Sequence, residues 1–388
     1  MDIAVLGGGP AGLAAALALR QRGCCVAVYD GQRPPIDKAC GEGLMPEAVR
    51  LLRALGVSLD EQDGRAFRGI SFHDTHARAY ALFASGRGLA VRRTHLQGRM
   101  AAQAAEMGIA LHWGAVVRAV GGGFAWGGIA IEADFFVIAD GLCSTLAGAS
   151  GFCERACSSK RYASRQQFRC APWSDQVEVH WRDHEQLYIT PLREDEVGVT
   201  LLTRTRGRKL SDALPDFPVV RNRLAGAART SSMRGAVTRT HSRREVIRGN
   251  VAVLGDASGA VDAVTGEGLL SALQQANALA DAIAAREPQR YAAMHRQIAK
   301  GPKRMARLLL LLDRYPWLER RFVTRMAERP ERFAALLRVH LREQSWWNFA
   351  RNEAATLLTT GQLTIRNSFR DTCLWLRYAA GFDRERGI

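Results

Sequence analysis

The chain has 388 residues, of which 47% are hydrophobic and 24% are charged, and its formal net charge at pH 7 is +16. This length and composition exclude an intrinsically disordered chain and predict a main domain, a second lobe and a tail. The positive charge indicates an acidic cofactor, an anionic surface or nucleic acid as a partner, although arginine-rich codon usage would produce the same surplus.

The first 55 residues predict a strand, a helix and a second strand, followed by a loop and another helix. Residues 3–6 and 25–29 are short apolar runs typical of buried strands. Residues 13–22 are rich in alanine and leucine and predict a helix that ends at Gly23. Asp30 ends the second strand, a loop rich in glycine and proline covers residues 31–46, and the next helix extends to about residue 55.

Further strands and one helix are predicted as far as residue 139. Residues 69–83 predict a pair of strands, and residues 94–107 predict a helix with Thr94 as its N-cap and Gly108 at its end. A strand follows at residues 109–113. Residues 116–120 and 124–131 predict a hairpin around a triple-glycine turn, and a buried strand at 135–139 ends at Asp140.

The middle of the chain has a different pattern. Apolar and polar residues alternate between residues 161 and 204, which predicts an antiparallel sheet and a substrate lobe. A buried strand at 250–254 then leads into Gly255 and Asp256, and a long helix is predicted over 268–285. From residue 302 to the end we expect several arginine-rich amphipathic helices.

The first strand–helix junction carries a dinucleotide fingerprint. Gly7, Gly9 and Gly12 have the GxGxxG spacing, in which the glycines allow a tight turn, close approach to a pyrophosphate and close helix–strand packing. The helix N-terminus would supply N–H groups to the phosphates, and an acid about twenty residues later would bind a ribose hydroxyl. The predicted contacts are Gly7, Gly9, Pro10, Ala11, Gly12 and Asp30. This fingerprint alone leaves NAD and FAD both open.

Two later motifs resemble those of the flavoproteins that include aromatic hydroxylases of the p-hydroxybenzoate hydroxylase type and the geranylgeranyl reductases. Residues 139–144 match the group's Asp-Gly motif with Asp140, and residues 253–257 match its late Gly-Asp motif with Gly255 and Asp256. The resemblance implies FAD as the cofactor, with Asp256 binding ribityl or ribose hydroxyls. Ala147 departs from the group, which often has arginine there.

The resemblance also implies contacts around the flavin ring. Residues 265–268 precede a helix, so that their N–H groups would face the flavin and stabilise its anionic reduced form. Arg93 resembles the group's arginine near the flavin. The further cofactor contacts implied are Cys40, Gly41, Arg93, Asp140, Gly255, Asp256, Gly266, Glu267, Gly268 and Leu269.

The loop at residues 38–46 distinguishes the branches of the group. Its Cys40 resembles the cysteine of the geranylgeranyl reductase branch, and Gly259 stands where hydroxylases usually have histidine. Ala263 departs from both branches, which commonly have proline there. A halogenase ranks third, because the Trp-x-Trp-x-Ile-Pro motif of the flavin-dependent halogenases is missing.

The first hypothesis is therefore a flavin-linked reductase. Hydride from N5 of reduced FAD would reduce a carbon–carbon double bond of a hydrophobic, isoprenoid- or polyketide-like substrate. Cys40 would donate a proton or shape the pocket, and Tyr188, where the family has an aromatic-proline motif, would line it. The alternative is an FAD-dependent monooxygenase that hydroxylates an aromatic or polyketide substrate through a C4a-hydroperoxyflavin. Without a second dinucleotide fingerprint, the electrons would come from transient NAD(P)H or a reduced protein.

The basic C-terminal region has two interpretations. Its helices could contact an anionic membrane surface, or they could form a lid or an oligomer contact. Nucleic-acid binding is a separate, non-enzymatic hypothesis and ranks lowest, because Trp346, Trp347 and Phe349 are not interleaved with arginine and no nucleic-acid module is recognised.

The eight cysteines predict no metal site. They lack a paired CxxC motif, and although Cys153 and Cys157 could lie one helical turn apart, no second ligand pair follows them. Unpaired thiols, no secretory signal and no apolar run of membrane-spanning length predict a cytoplasmic protein, with the membrane contact above left open.

These patterns combine into an α/β chain that is α+β overall. We expect a discontinuous Rossmann-type FAD-binding domain at residues 1–70, 91–160 and 245–290. An inserted antiparallel sheet lobe would comprise residues 71–90 and 161–244, and a helical C-terminal region residues 291–388.

Overall fold

The computed structural model describes residues 1–155, 160–349 and 351. It confirms the mixed α/β class with a Rossmann-like domain, several sheets and a helical C-terminal region. Cys157, Cys373 and the predicted helices beyond residue 351 lie outside the described residues. The six cysteines within them are free thiols.

A six-stranded sheet forms the nucleotide-binding half. Its strands are β1 (Asp2–Leu6), β2 (Cys25–Asp30), β8 (Ala110–Trp113), β12 (Phe135–Ile138), β19 (Ile247–Arg248) and β20 (Val251–Val253). They lie in the order β19-β20-β12-β1-β2-β8, and all pairs except β19–β20 are parallel. The carboxyl ends of β1, β12 and β20 therefore meet at one edge, where α/β folds place their ligands.

A seven-stranded sheet forms the second lobe. Its strands are β5 (Gly69–His73), β6 (Arg78–Leu82), β13 (Arg161–Arg169), β14 (Val177–Arg182), β15 (Glu185–Arg193), β16 (Glu196–Thr203) and β17 (Arg234–Thr238). The order is β17-β13-β16-β15-β14-β5-β6, and only the β5–β14 pair is parallel. The predicted domain boundary at residue 71 falls within β5; the domain division as a whole stays a prediction.

Three smaller sheets complete the described strands. They comprise β3 (Gly43–Leu44), β4 (Arg65–Phe67) and β7 (Gly88–Ala90); β9 (Val117–Val120), β10 (Gly123–Trp126) and β11 (Ile129–Ala130); and β18 (His241–Ser242) with β21 (Gly259–Ala260). The predicted two-stranded hairpin is wrong in its second strand, because Gly127 and Gly128 adopt positive φ and turn the chain again after Trp126.

Ten helices lie within the described residues. They are α1 (Pro10–Gln21), α2 (Pro46–Ala54), α3 (Arg93–Glu106), α4 (Thr145–Ala149), α5 (Leu210–Ala213), α6 (Pro218–Arg223), α7 (Gly268–Ala284), α8 (Tyr291–Arg314), α9 (Pro316–Glu328) and α10 (Pro330–His340). The Thr94 cap is wrong, because α3 begins at Arg93 with Arg92 as its N-cap and no side-chain cap bond. The helix that was predicted to begin at residue 302 begins at Tyr291, and Pro302 lies within the helix. The ring of Tyr291 is buried in the main core.

Hydrophobic burial explains how these layers assemble. The alanines and leucines of α1 pack between the six-stranded sheet and α7 in the main core. A second core fills the space between α8–α10 and one face of the seven-stranded sheet, and a third lies under α5 and α6 on its opposite face. Within the described residues, no helix combines the length and apolar character that crossing a bilayer requires.

Candidate functional site

The turn between β1 and α1 depends on glycine for two different reasons. A Cβ on Gly7, whose φ is +124°, would lie 2.4 Å from the carbonyl oxygen of Ala139, and a Cβ on Gly12 would lie 1.8 Å from the oxygen of Gly7. Both glycines therefore serve close packing. Gly9 differs, because the nearest atom to its Cβ position would be Nη2 of Arg93 at 3.9 Å. The space beside Gly9 is open for a ligand.

The N-terminus of α1 is suited to an anion. Gly9 is its N-cap, and neither a side-chain cap nor an acidic residue occupies its first turn, which contains Pro10 and the half-buried Ala11. The first turn of α1 thus does not itself neutralise the positive end of the helix dipole. This is the arrangement that a pyrophosphate site requires, and the site itself stays a prediction.

Asp30 lies at the end of β2, beside the same turn. One of its carboxylate oxygens accepts a hydrogen bond from the backbone N–H of Gly8 at 2.6 Å, and the other accepts from Gln32 at 2.7 Å. Each oxygen has further acceptor capacity, so that the carboxylate can also bind a ribose hydroxyl.

The three motif clusters meet at the carboxyl edge of the six-stranded sheet. Gly7 packs against the backbone of Ala139 and Asp140, and a Cβ on Gly255 would lie 2.7 Å from the Cβ of Ala11. The side chains of Asp140 and Asp256 are exposed, although Ala139 and Gly255 beside them are buried. Two exposed acidic residues thus lie at the sheet edge to which the glycine turn belongs.

In the loop before α7, the backbone at Gly266 and Gly268 is exposed and the carboxylate of Glu267 is buried. Gly266, with φ +67°, and Gly268 are exposed, and no atom lies within 4 Å of a Cβ placed on Gly268. Glu267 is buried, its carboxylate oxygens have no hydrogen-bond partner, and they lie 3.6 Å from Nδ1 of His340 and 3.9 Å from Nη2 of Arg342. The Glu267 side chain therefore points towards the C-terminal helices. The half-buried Leu269 packs against the main core.

Two threonines of the second lobe hold the cysteine loop. Thr190 on β15 donates a hydrogen bond to the carbonyl of Gly41 at 2.8 Å, and Thr200 on β16 donates to the carbonyl of Cys40 at 3.4 Å. Burial raises the pKa of the Cys40 thiol, and the charge of Arg93 partly opposes the rise. The thiol is therefore protonated at neutral pH. Gly41 is exposed, with no atom within 4 Å of its Cβ position.

Tyr188 joins the same strand face to the loop before α7. It lies two residues before Thr190 on β15, so that both side chains point to one side of the sheet. Its hydroxyl donates a hydrogen bond to the carbonyl of Val264 at 3.0 Å, and burial raises the pKa of the phenol. Strand β15 thus contacts both the cysteine loop and the loop before α7, the two loops that the sequence predicts to lie beside the flavin.

Glu42 is a site residue that the sequence did not single out. It is buried with φ +60°, and its carboxylate accepts hydrogen bonds from Nε2 of Gln167 at 2.8 and 2.9 Å and from the backbone N–H of Arg93 at 3.0 Å. Burial raises the pKa of Glu42, and the nearby Arg165 opposes the rise. The only local sign of an unusual backbone conformation at Glu42 is that Gly41 and Gly43 flank it. Glu42 fixes the first turn of α3 relative to the cysteine loop.

A buried network of charged residues, Arg161, Asp262 and Asp313, connects the loop before α7 to the second lobe and to α8. Arg161, which is fully buried, lies 3.1 Å from the carboxylate of Asp262 and 3.4 Å from that of Asp313 on α8. Asp262 also accepts a hydrogen bond from the N–H of Val264 at 3.0 Å, which begins a short 3-10 helix. No local sequence pattern indicated this network, because Asp262 and Asp313 are 101 and 152 residues from Arg161.

The residues present fit a bound FAD. Open space lies beside Gly9, Gly41 and Gly268, where side chains would otherwise project. Nε of Arg93 and Oε1 of Gln97 are buried without a hydrogen-bond partner, and Gln97 lies 3.4 Å from the carbonyl oxygen of Gly8. Unpartnered buried polar atoms next to an open anion site are expected where a polar ligand completes the structure.

A family model described as an FAD binding domain matches residues 1–296. A menaquinone reductase of Mycolicibacterium smegmatis is 36% identical over 132 residues, which is 30% of this chain and 29% of that protein. One of Mycobacterium tuberculosis is 44% identical over 69 residues, 18% of this chain and 17% of that protein. The chain thus matches less than a third of the length of these relatives.

Solved structures show the same fold at low identity. The flavin-dependent brominase Bmp2 is 18% identical with a TM-score of 0.75, covering 88% of this chain and 93% of its own. A variant of 2-methyl-3-hydroxypyridine-5-carboxylic acid oxygenase is 24% identical with a TM-score of 0.68, covering 79% and 89%. A flavoprotein/dehydrogenase from Cytophaga hutchinsonii is 17% identical with a TM-score of 0.74, covering 87% and 92%.

Proposed function

Because the chain belongs to the FAD-binding-domain family, we propose that it is an FAD-dependent reductase of the geranylgeranyl reductase type. Its substrate would be a carbon–carbon double bond in a hydrophobic, isoprenoid- or polyketide-like molecule. The observation that carries the proposal is the placement of Cys40, which two threonines of the second lobe hold next to Arg93 and the open space beside Gly41.

The residues of the site would bind the cofactor along its length. The first turn of α1 binds the pyrophosphate, Asp30 binds a ribose hydroxyl, and Asp256 binds ribityl hydroxyls. The exposed backbone at Gly266 and Gly268 supports the ring. When reduced FAD is bound, it supplies a hydride to the substrate.

The chain itself would supply the proton. Reduction of a carbon–carbon double bond by hydride leaves a carbanion-like carbon that must be protonated. Burial keeps the Cys40 thiol protonated, and the threonine bonds to the carbonyls of residues 40 and 41 fix its position. Cys40 would donate this proton and recover it from solvent after product release. Tyr188, whose hydroxyl is bonded to Val264, would line the pocket rather than donate.

One further observation supports a reductase with a hydrophobic substrate, and another bears on its electron donor. The curated relatives are menaquinone reductases. A quinone of this kind would be an apolar, prenylated substrate. The sequence also contains a single dinucleotide fingerprint, at Gly7 to Gly12. We therefore propose NAD(P)H bound transiently, or a reduced protein, as the electron donor.

Anaerobic turnover tests the proposal. Purified FAD-loaded protein, reduced with dithionite under argon, would be mixed with prenylated quinones and other polyprenyl compounds, and products would be analysed by mass. The proposal predicts flavin reoxidation without dioxygen and a product that stays heavier by two hydrogens after exposure to air. Air reoxidises a reduced quinone ring but not a reduced side-chain double bond, so the retained hydrogens identify reduction of the double bond. A product that forms only in air and is heavier by one oxygen would identify a monooxygenase instead.

The C-terminal helices would bring the protein to a membrane that contains such substrates. They expose Tyr315 by 39%, Trp317 by 55% and Trp347 by 70%, and Arg314 and Arg320 are exposed beside the first two. Exposed aromatic and basic side chains are typical of helices that lie on anionic lipid surfaces.

Vesicle sedimentation tests the membrane contact. Full-length protein should pellet with phosphatidylserine-containing vesicles and less with neutral ones. Replacing Trp317 and Trp347 by alanine should reduce pelleting, whereas Trp126→Ala should not, because Trp126 is 42% exposed but lies on β10. Equal pelleting of all three proteins would remove the membrane contact and favour a lid or an oligomer contact.

A further inference from the structure

Two histidines and a glutamate converge on the second lobe, away from the flavin site. His73 lies on β5, and Glu178 and His180 lie on β14. In the parallel β5–β14 pair, His180 is opposite His73 and Glu178 is opposite Ser71. Because residues two apart in a strand point to the same face, all four side chains lie on one side of the sheet. Among the described residues, His73, Glu178 and His180 are the three possible metal ligands that cluster closely enough to share one ion.

The side-chain atoms of this group have the spacing of metal ligands. Nε2 of His180 lies 2.9 Å from one carboxylate oxygen of Glu178, and Nε2 of His73 lies 3.9 Å from the other. One ligand atom from each residue lies within 4.8 Å of those of the other two. Ligand atoms around a tetrahedral zinc ion with bonds of about 2.1 Å are roughly 3.4 Å apart, between these two distances.

We infer that His73, Glu178 and His180 form a binding site for a divalent transition-metal ion of the zinc class. Two imidazoles and one carboxylate are ligands that zinc accepts, and three protein ligands leave the fourth position to water. The ligand side chains are 16%, 5% and 9% exposed, so that the ion would be mostly shielded and would enter past His73.

Neighbouring side chains contact the ligands. Nε1 of Trp173 donates a hydrogen bond to Glu178 at 3.0 Å, and the hydroxyl of Ser71 lies 2.9 Å from Nε2 of His73. The Trp173 contact is of the kind that orients ligands in known metal sites. The Ser71 hydroxyl, in contrast, is bonded to the ligand atom of His73, so the ion would replace it there. The rings of His73 and His180 are stacked, with centroids 4.4 Å apart and 21° between their planes, so one ring must rotate before both nitrogens point at one ion.

The ion would stabilise the fold rather than take part in flavin chemistry. Val179 is opposite Tyr188 across the β14–β15 pair, and Tyr188 contacts the loop before α7, so the flavin side of the sheet is the opposite face. The ion would join β5 to β14, two strands that are distant in sequence and form the only parallel pair of this sheet. No sequence motif indicates this site, because its ligands are split between two strands and include no cysteine.

Metal binding to the FAD-loaded protein tests this inference. After chelator treatment and dialysis, the protein should bind one equivalent of zinc with high affinity and unfold at a higher temperature when zinc is present. His180→Gln and Glu178→Gln should weaken zinc binding by about tenfold or more and abolish the thermal shift. His76→Gln is the matched control, because His76 is exposed in the turn between β5 and β6 and should bind zinc as the wild type does.

Cobalt distinguishes this site from the exposed thiols and does not depend on the variants folding. Wild-type protein with one equivalent of cobalt should show a tetrahedral visible spectrum without thiolate-to-cobalt charge transfer. FAD content would report whether each variant is folded. Thiolate charge transfer, or equal zinc affinity in the wild type and in folded His180→Gln, would overturn the inference.

Discussion

The hydroxyl of Tyr188 donates a hydrogen bond to the carbonyl of Val264 at 3.0 Å, which joins β15 of the second lobe to the loop before α7. Tyr188→Phe leaves this carbonyl without its side-chain partner, so we expect the free energy of unfolding to decrease by about 1 kcal/mol. Because the loop also contains Gly266 and Gly268, we expect weaker FAD binding. Fluorescence titration with FAD measures this. Tyr80→Phe, at a tyrosine that is 48% exposed on β6, should change neither quantity.

Gly9→Ala should separate folding from cofactor binding. The nearest atom to the added methyl group would be 3.9 Å away, so the cofactor-free protein should fold normally. The methyl would nevertheless occupy space that the pyrophosphate needs, and we expect the Kd for FAD to rise about tenfold or more, equivalent to about 1.4 kcal/mol. Gly98→Ala, on the exposed side of α3, should leave the Kd unchanged. Equal Kd values for both variants would place the cofactor elsewhere.

Cys40→Ala tests the proton donor. Loss of a general acid typically slows the chemical step by roughly 10²-fold or more. Reduction of the flavin by its donor should keep its rate, because that step does not use the thiol. Cys170→Ala, at another half-buried thiol of the chain, is the control. Single-turnover measurements of flavin reoxidation provide the rates; an unchanged rate in Cys40→Ala would mean that the thiol only shapes the pocket.

Arg161→Met tests the buried ion network. Removing the guanidinium leaves the carboxylates of Asp262 and Asp313 buried without this partner, which typically costs about 3–5 kcal/mol. Arg68→Met breaks the exposed pair with Asp175 and should cost no more than about 1 kcal/mol. Urea unfolding compares the two. Similar losses in both variants would show that the network does not support the loop before α7.

Glu319 on α9 should make stability depend on pH. Burial and the charges of Asp74 and Asp183 raise the pKa of Glu319 from 4.5 to about 7. The folded chain therefore keeps a proton that the unfolded chain releases, and the free energy of unfolding contributed here decreases as pH rises from about 4.5 to about 7. Glu319→Gln should flatten this decrease.

The matched control for this prediction is Glu328→Gln, because Glu328 is exposed on the same helix. Its unfolding free energy, measured by urea titration across the same pH range, should follow that of the wild type. A Glu319→Gln profile with the wild-type slope would contradict the assignment of the proton to Glu319.

Local signals in the sequence predicted the nucleotide-binding half well. The glycine turn, its flanking strands and α1 depend on steric rules that act within about twenty residues, and the structure places Gly7 and Gly9 as expected. The alternation of residues 161–204 likewise predicted the antiparallel strands, because period-two patterns reflect burial of one face.

Contacts between distant segments could not be predicted in this way. The backbone of Glu267 was assigned to the cofactor with its glycine neighbours, and this assignment stays a prediction. The position of its carboxylate near His340, more than seventy residues away, had no local signal. Arg161 resembled any other arginine of a basic chain until Asp262 and Asp313 were placed beside it. Charge pairing of this kind depends on the packing of α8 against the second lobe, which no local pattern records.

We propose that the glycine turn, Asp140 and the Gly255–Asp256 cluster together hold one extended FAD. FAD would be titrated into cofactor-free protein, and binding would be followed by flavin absorbance. We predict saturation at one FAD per chain, with a resolved and shifted flavin spectrum, and weaker binding in Gly9→Ala. A folded protein that is colourless after unbound FAD has been removed would contradict the account.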